Sequence, residues 1–325
     1  MTSLVSTIIP TFNRKNDVVV AVGSAVTQTH SAHEIIVVDD GSRDGTAQRL
    51  RDVFGEALTI LRTERLGVSG ARNHGIAAAR GEYIALLDSD DEWRSDKLEK
   101  QVAFLESRPD FGMVLTDVVQ MGRDRRAYDV LRRRRFIPED GTVLRHVLRQ
   151  PSLAPSSALI RRSVIEHVGG FDASLPTAED IEFHLRVALR FPIGVIEEPL
   201  TRCMRGHEGL SAQTRTYSDY MFALERFILD HRHTVPREDR QMALREATLR
   251  NMRGMLGMGM LGDALKLGAH FAARSRTLVE LAAVGTLTPA FLRTAARRLV
   301  RRGGTPMVSD ARWTPRSSPL VTSPS

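Results

Sequence analysis

A single cysteine, Cys203, in 325 residues leaves an intramolecular disulfide without a partner. That excludes the small cross-linked secreted scaffolds and fits a reducing compartment. No stretch reaches the ~18 apolar residues that a spanning helix needs. The nearest, residues 277–292, is interrupted by Glu280 and Pro289. The opening M-T-S-L-V-S-T-I-I-P carries no basic leader and no small-residue cleavage site, so it reads as a first strand and not as a secretory leader. A cytoplasmic protein is the expectation. Aromatic content is low, at 6%, and neither aromatic–basic interleaving nor zinc-ligand spacing occurs, so no nucleic-acid partner is expected. No internal repeat is present.

What is there begins at Glu82–Trp93, E-Y-I-A-L-L-D-S-D-D-E-W. An apolar strand over 83–87 runs into Asp88, Asp90 and Asp91. Carboxylates this close repel one another unless a cation or a hydrogen-bond network neutralises them. Hard oxygen ligands suit Mg2+ or Mn2+, with phosphate oxygens completing the shell. A metal–diphosphate site at the carboxyl edge of an open α/β sheet is the implied use.

The first half alternates strand and helix. Strands are predicted at 4–9, 34–38, 57–61 and 83–87, and helices at 17–27, 46–54, 69–79 and 96–106. In the last of these Leu98, Val102 and Leu105 share one face. Continuous apolar strands between helices predict an α/β fold with a mostly parallel sheet covered on both faces. The alternation breaks near residue 110. A strand at 111–119, a charged loop at 123–135 with a solvated run Arg132–Arg135, a short strand at 155–160 and a short helix at 163–167 follow. Then come a helix at 179–190 and strands at 194–197 and 200–205. From 216 onward the pattern is all-α, with Tyr217, Tyr220, Met221, Leu224 and Phe227/Ile228 on one stripe. Helices follow at 237–255, 263–274 and 289–301; the methionines between 252 and 260 read as packing. The tail 303–325, rich in Ser, Thr and Pro, reads as disordered.

The net charge of +7 is uneven. Residues 215–304 hold sixteen Lys/Arg against eight Asp/Glu, whereas the first 214 are slightly acidic. The basic helical region 215–302 therefore stands apart in character from what precedes it.

Four segments carry the chemistry. One strand ends in Pro10-Thr11-Phe12-Asn13-Arg14 and another in Asp39-Asp40-Gly41-Ser42. A helix opens with Gly67-Val68-Ser69-Gly70-Ala71-Arg72-Asn73, and a further strand ends in Asp88-Ser89-Asp90. In a doubly wound sheet these ends lie along one edge. They supply acceptors for a base and ribose (Asp40, Asp88), a cation for phosphate (Arg72), amides at a helix start and a metal ligand (Asp90). That is the inventory for a nucleoside diphosphate. No G-x-G-x-x-G fingerprint follows any of these strands, and no Walker P-loop occurs.

V-S-T-I-I-P-T-F-N-R, E-I-I-V-V-D-D-G-S-R-D-G-T, G-V-S-G-A-R-N-H-G-I and G-E-Y-I-A-L-L-D-S-D-D-E-W, in this order and spacing, resemble the family 2 glycosyltransferases over residues 1–210. The resemblance implies a GT-A fold, inversion at the sugar, and a nucleotide-sugar donor. UDP is the default nucleotide. It implies a GT-A domain over 1–214, with a nucleotide half at 1–110 and an acceptor half at 111–214. It implies that Asp40 contacts the base, Asp88 the ribose and Asp90 the divalent metal. Pro10 and Thr11 would line the pocket, Arg72 would sit near the nucleotide, and Asn13, Arg14, Gly41 and Ser89 would complete the nucleotide-binding set. The family's catalytic Asp follows a Glu at a helix start; here Glu179-Asp180 fits. Asp180 is then the general base, with Glu179 supporting the acceptor. Arg205 and His207 fall where the family often places a basic residue or His against the diphosphate. Trp93 stands ready either to stack on a sugar or to pack at the start of a helix.

A sugar-phosphate nucleotidyltransferase needs a Gly-rich basic loop after the first strand, which P-T-F-N-R does not supply. A non-catalytic nucleotide-sugar binder, docked through its basic helices on a membrane or an acidic partner, is the alternative; every expected carboxylate is present, which speaks for the enzyme. The expected acceptor is a glycan or lipid-linked hydroxyl, and residues 215–302 offer a peripheral membrane contact. No Q-x-x-R-W motif suggests processivity.

Overall fold

The computed structural model describes residues 2–122, 127–131, 143–149, 153–204 and 215–275. In chain order the elements are β1 (Val5–Thr11), α1 (Asp17–Val26), β2 (His33–Asp39), α2 (Thr46–Phe54), β3 (Thr59–Arg62), α3 (Gly67–Ala78), β4 (Tyr83–Leu86), β5 (Glu92–Trp93), α4 (Lys97–Glu106), β6 (Met113–Met121), β7 (Ala127–Leu131), α5 (Val143–Arg149), β8 (Leu159–Arg161), α6 (Arg162–Val168), α7 (Glu179–Arg190), β9 (Ile193–Met204), α8 (Arg215–Asp230), α9 (Arg237–Gly257) and α10 (Leu261–Ser275).

All seven residues of β1 are buried. Its alternating side chains feed two cores, as a pleated strand must. Ile8 joins Ile36, Val38 and Leu86 on the face that α3 covers through Ala71. Val5 and Ile9 join Ile35 and Val37 on the face covered by Val18 and Val22 of α1 and Leu98 and Val102 of α4. Burial on both faces explains why these strands read as continuous apolar runs. Gly75 lets α3 lie against the sheet, since a Cβ there would stand 2.5 Å from Ile8 Cγ2.

The order is β3-β2-β1-β4-β8-β6-β9-β5, with β7 added on β6. From β3 to β4 every pairing is parallel. Beyond β4 the sheet is mixed. β8 runs antiparallel to both β4 and β6, β6 and β9 are parallel, and β5 and β7 are antiparallel to their neighbours. The three strand ends therefore do share one edge, but on a sheet that is parallel only from β3 to β4.

Several local expectations are corrected. The segment 123–135 read as loop, yet Ala127–Leu131 forms a strand on β6; its backbone finds partners along that edge. Arg132–Arg135 lie outside the described residues. The strands expected at 194–197 and 200–205 are one strand, β9, whose register against β6 shifts around Asp117 and Pro199. A proline without an N–H is absorbed as an irregularity and does not end the strand. Residues 155–157 form a 3-10 turn, and only the three residues of β8 pair. The spacing Gly257-x-Gly259-x-x-Gly262 does spell G-x-G-x-x-G, but it joins α9 to α10 and follows no strand.

The α8 stripe is as read from the sequence except at Tyr217, which is only partly buried and packs with Met252 and Met255. Tyr220, Met221, Leu224, Phe227 and Ile228 are buried in the same cluster as Phe183 and Val187 of α7 and Val147 of α5. Met252 and Met255 pack against Ala264. The helix expected at 289–301 and the tail from 303 lie outside the described residues.

Trp93 is a packing residue. It is buried, its indole N–H donates to the Ser156 carbonyl at 2.6 Å, and Lys97 Nζ sits 4.0 Å from the ring centre. Lys97 is fully buried on α4 and donates to Gln101 Oε1 at 2.7 Å. Burial holds its pKa well below the usual lysine range.

Candidate active site

A cleft of about 1150 Å³ opens at the carboxyl ends of β1, β2 and β4. Pro10, Thr11, Asn13, Arg14, Asp40, Arg72, Asp88, Ser89, Asp90, Glu179 and Asp180 all line it. Gly41 does not. It follows Asp40 at φ +81, a left-handed turn that glycine accepts without strain. Arg205 and His207 lie outside the described residues.

On the wall formed by the ends of β1 and β2, Asp40 is already engaged. Its Oδ1 accepts from Thr63 Oγ1 and the Leu66 amide, both at 2.7 Å, and Oδ2 accepts from the Gly67 amide at 2.8 Å. The carboxylate thus caps the start of α3 and satisfies donors that a helix N-terminus leaves orphaned. Oδ2, with one donor, keeps acceptor capacity toward the cleft. Asn13, at φ 49, builds the loop: its N–H donates to Ser42 Oγ and its Oδ1 accepts from the Arg43 amide, each at 2.8 Å. Thr11 Oγ1 is buried with no partner among the described residues, an orphaned hydroxyl at the cleft wall. Arg65 lies over the Phe12 ring at 4.1 Å, a pairing that no sequence pattern announced.

Arg72 is the hinge of the site. It is buried; its Nη2 donates to Asp88 Oδ1 at 2.7 Å and its Nη1 to Glu179 Oε1 at 2.6 Å. Burial is the largest single influence on its pKa and lowers it, but the two carboxylates together outweigh burial and raise the pKa above the usual arginine value. One guanidinium fork therefore ties the turn after β4 to the start of α7, with Arg72 and Glu179 107 positions apart. Ala178, just before Glu179, holds φ 62, an unfavourable conformation for a residue with a Cβ. Asp180 follows on the first turn, where acidic groups suit the helix dipole. Asp180 keeps some exposure to the cleft, and its Oδ1 accepts from the Ile181 amide at 2.8 Å. Burial, then the charge of Glu179, push its carboxyl up to about 7, against the pull of Arg72 and of that amide.

Asp91 faces inward from the same acidic turn. Its Oδ2 accepts from Ser156 Oγ at 2.6 Å and Cys203 Sγ at 3.1 Å, and its Oδ1 from the Met204 amide at 3.0 Å. Ser156 Oγ in turn accepts from the Asp88 amide at 3.0 Å. Burial, then Asp90 and Asp88, raise Asp91 to about 8. Its role as a fastener between the acidic turn, the 155–157 turn and the end of β9 was not legible from the sequence. Asp90 Oδ2 lies 3.3 Å from Arg14 Nη1. Arg72 engages Oδ1 of Asp88, and about a third of the Asp88 side chain is exposed.

Asp88 and Asp90 are hard oxygen donors at the cleft, the donor chemistry that Mg2+ or Mn2+ takes. Among the described residues no three His, Cys, Asp or Glu side chains group around a cation position. Protein ligands of this kind fit a metal that draws the rest of its shell from phosphate oxygens.

The opposite wall comes from a region whose link to this cleft the sequence gave no signal for: Thr216, Tyr217 and Tyr220 of α8 and Arg250 and Asn251 of α9.

A family model described as glycosyl transferase family 2 matches residues 6–169. The chain belongs to glycosyl transferase family 2. A Bacillus subtilis protein described as a putative teichuronic acid biosynthesis glycosyltransferase is 40% identical over 108 residues, 32% of this chain and 43% of that protein. An Escherichia coli UDP-Glc:α-D-GlcNAc-diphosphoundecaprenol β-1,3-glucosyltransferase is 38% identical over 109 residues, 33% of this chain and 43% of that one. The matches span less than half the length of these curated relatives. Among solved structures, a mannosyltransferase from Pyrobaculum calidifontis in complex with GDP-Man and Mn2+ superposes with TM-score 0.59 at 22% identity, covering 94% of this chain and 89% of that one. The GT-A fold expected of a family 2 glycosyltransferase is thus present.

Proposed function

We propose that this family 2 member is an inverting glycosyltransferase that moves a sugar from a UDP-sugar to a hydroxyl of a glycan or lipid-linked acceptor. The observation that carries the reading is the Arg72 fork. By holding Asp88 and Glu179 together it sets Asp180, one residue further on, against the nucleotide wall.

The residues divide the work. Pro10, Thr11 and the spare acceptor capacity of Asp40 receive base and ribose, and the orphaned Thr11 hydroxyl gains a partner there. Asp88 meets the ribose. Asp90, with Asp88 beside it, would hold Mg2+ or Mn2+, which when bound neutralises the leaving diphosphate. Arg72 adds fixed positive charge close to it, in a wall that needs no reorganisation. Asp180 takes the proton of the acceptor hydroxyl as that oxygen attacks the anomeric carbon from the face opposite the diphosphate. A base held near neutrality is suited to this work. The UDP default gains support from the donor named for the Escherichia coli relative. No described helix is long and apolar enough to cross a membrane. Phe222 and Leu229, exposed and seven residues apart on α8, support peripheral contact at the cytoplasmic face.

Calorimetric titration of UDP with Mn2+, with and without EDTA, on wild type and Asp90→Ala tests the reading. Metal-dependent binding that disappears in Asp90→Ala is the expected result. Binding of GDP or dTDP instead of UDP would change the donor and keep the mechanism; no nucleotide binding at all would overturn the proposal.

A further inference from the structure

The cleft exceeds the roughly 300–1,000 Å³ of a usual small-molecule site, and its α8–α9 wall is left over once a nucleotide-sugar lies against the strand ends. Four arginines line the cleft. Arg14 and Arg72 have carboxylate partners, and Arg65 lies on Phe12. Arg250 differs. Its Nη1 donates to Tyr220 OH at 3.1 Å and its Nη2 to the Arg149 carbonyl, both neutral acceptors. The nearby carboxylates are committed elsewhere: Glu246 to Arg149 at 3.0 Å, Asp219 to Thr177 Oγ1 at 2.8 Å and to Arg215 at 3.2 Å. Among the described residues Arg250 has no ion pair. A partly desolvated guanidinium held only by neutral groups retains its full charge and presents a rigid fork suited to phosphate.

The wall is also in the right place. The Thr177–Asp219 bond fastens the segment before Asp180 to α8. An acceptor whose hydroxyl reaches Asp180 has the donor on one side and can extend only along α8 and α9. There the partly exposed Tyr217 offers its ring to a sugar, and Arg250, braced by the hydroxyl of the buried Tyr220, lies on the same wall.

Resting on the reading of Asp180 as the base, we infer that this wall is an acceptor subsite in which Arg250 binds the phosphate of an acceptor sugar carried on a phosphate or diphosphate ester.

The test is equilibrium dialysis of radiolabelled probes against the full chain saturated with UDP. Octyl diphosphate represents a lipid-linked ester, bis(glycerol) phosphate a phosphodiester polymer, and octyl glucoside is the neutral control. At least one anionic probe should bind wild type and lose tenfold or more in affinity in Arg250→Ala, with partial recovery in Arg250→Lys. The neutral probe should be unaffected, which a merely structural role for Arg250 would not produce. Which anionic probe depends on Arg250 tells which ester the site takes. Arg250→Gln keeps donors for the Arg149 carbonyl and Tyr220, so it separates charge from folding if the alanine variant unfolds; it should show the same loss. Equal anionic binding in wild type and the Ala and Gln variants, or no anionic binding to wild type, overturns the inference. If UDP itself fails to bind, the glycosyltransferase reading falls, and the same comparison without nucleotide still decides whether Arg250 holds an anion.

Discussion

Asp180→Asn makes the sharpest demand on this site, because activity and stability should move in opposite directions. The substitution preserves shape, and the amide oxygen can still accept the Ile181 N–H that Asp180 Oδ1 accepts at 2.8 Å. What it removes is a proton acceptor. General base catalysis is worth roughly 10²–10⁴-fold, so kcat should fall by that factor, ~3–5 kcal/mol of barrier, with UDP affinity unchanged. In wild type, kcat/KM for the acceptor should climb with pH up to about 7, where the carboxyl titrates, and then level off; the variant should lose that limb. Stability follows from the same shift. A carboxyl raised from 3.8 to about 7 holds its proton more tightly when folded. Folded stability from this group is therefore greatest below pH ~4 and is lost as pH rises through about 7. The ceiling is ~4 kcal/mol at ~1.36 kcal/mol per pKa unit. Solvent at the cleft edge screens part of it, leaving roughly 1–2 kcal/mol. Asp180→Asn should melt a few degrees above wild type at pH 8 and together with it at pH 4. A variant with more than a tenth of wild-type kcat, or with the acidic limb intact, would refute Asp180 as the base. Identical melting at pH 8 would refute the raised carboxyl.

Three further outcomes are expected. Arg72→Ala should lower stability by ~3 kcal/mol or more in chemical denaturation, since it strands the buried Glu179 carboxylate; Arg72→Lys should recover little, because an ammonium cannot reproduce the fork to Asp88 and Glu179. Ser156→Ala removes the hydroxyl that serves both the Asp88 amide and Asp91; it should lose ~1–3 kcal/mol and weaken UDP binding in Mn2+ more than in EDTA, as read by calorimetry. Gly75→Ala places a Cβ 2.5 Å from Ile8 Cγ2 and 3.0 Å from Val38 Cγ2 and should lose ~1–3 kcal/mol through overpacking, measured by thermal melting with nucleotide affinity per folded molecule unchanged.

The parallel half of the sheet was legible because β2 and β4 are buried apolar runs that change abruptly to Asp, and β1 ends close to Asn13 and Arg14. Pattern and chemistry coincide at those ends. The mixed part of the sheet beyond β4 was less so. β8 is three residues long and carries no period of its own, yet it decides that the sheet turns antiparallel beyond β4. β7 hides among arginines, and its pairing with β6 is a property of the partner edge. In the site, Glu179-Asp180 could be placed by resemblance, but the partner that fixes them, Arg72, lies far away in sequence and only the fold brings them together. Asp91 read as one more member of an acidic cluster, whereas its donors come from Ser156, Cys203 and Met204. The α8 stripe was visible as periodicity; the cleft surface carried by α8 and α9 was not, since periodicity tells which face is buried and not what the rim meets.

The insertion of β8 between β4 and β6 also orders events during synthesis. Chains emerge from the ribosome N-terminus first, at ~5–20 residues per second. β1 to β4 can pair as soon as residue 86 is out, which leaves Tyr83–Leu86 as an open apolar edge. That edge stays uncovered until Leu159–Arg161 arrives, and β6, although made earlier, reaches the rest of the sheet only through β8. An open edge is a template for pairing with another chain. The nascent β1–β4 unit is thus exposed to misassociation for as long as the ribosome takes to translate the stretch from residue 87 to residue 161.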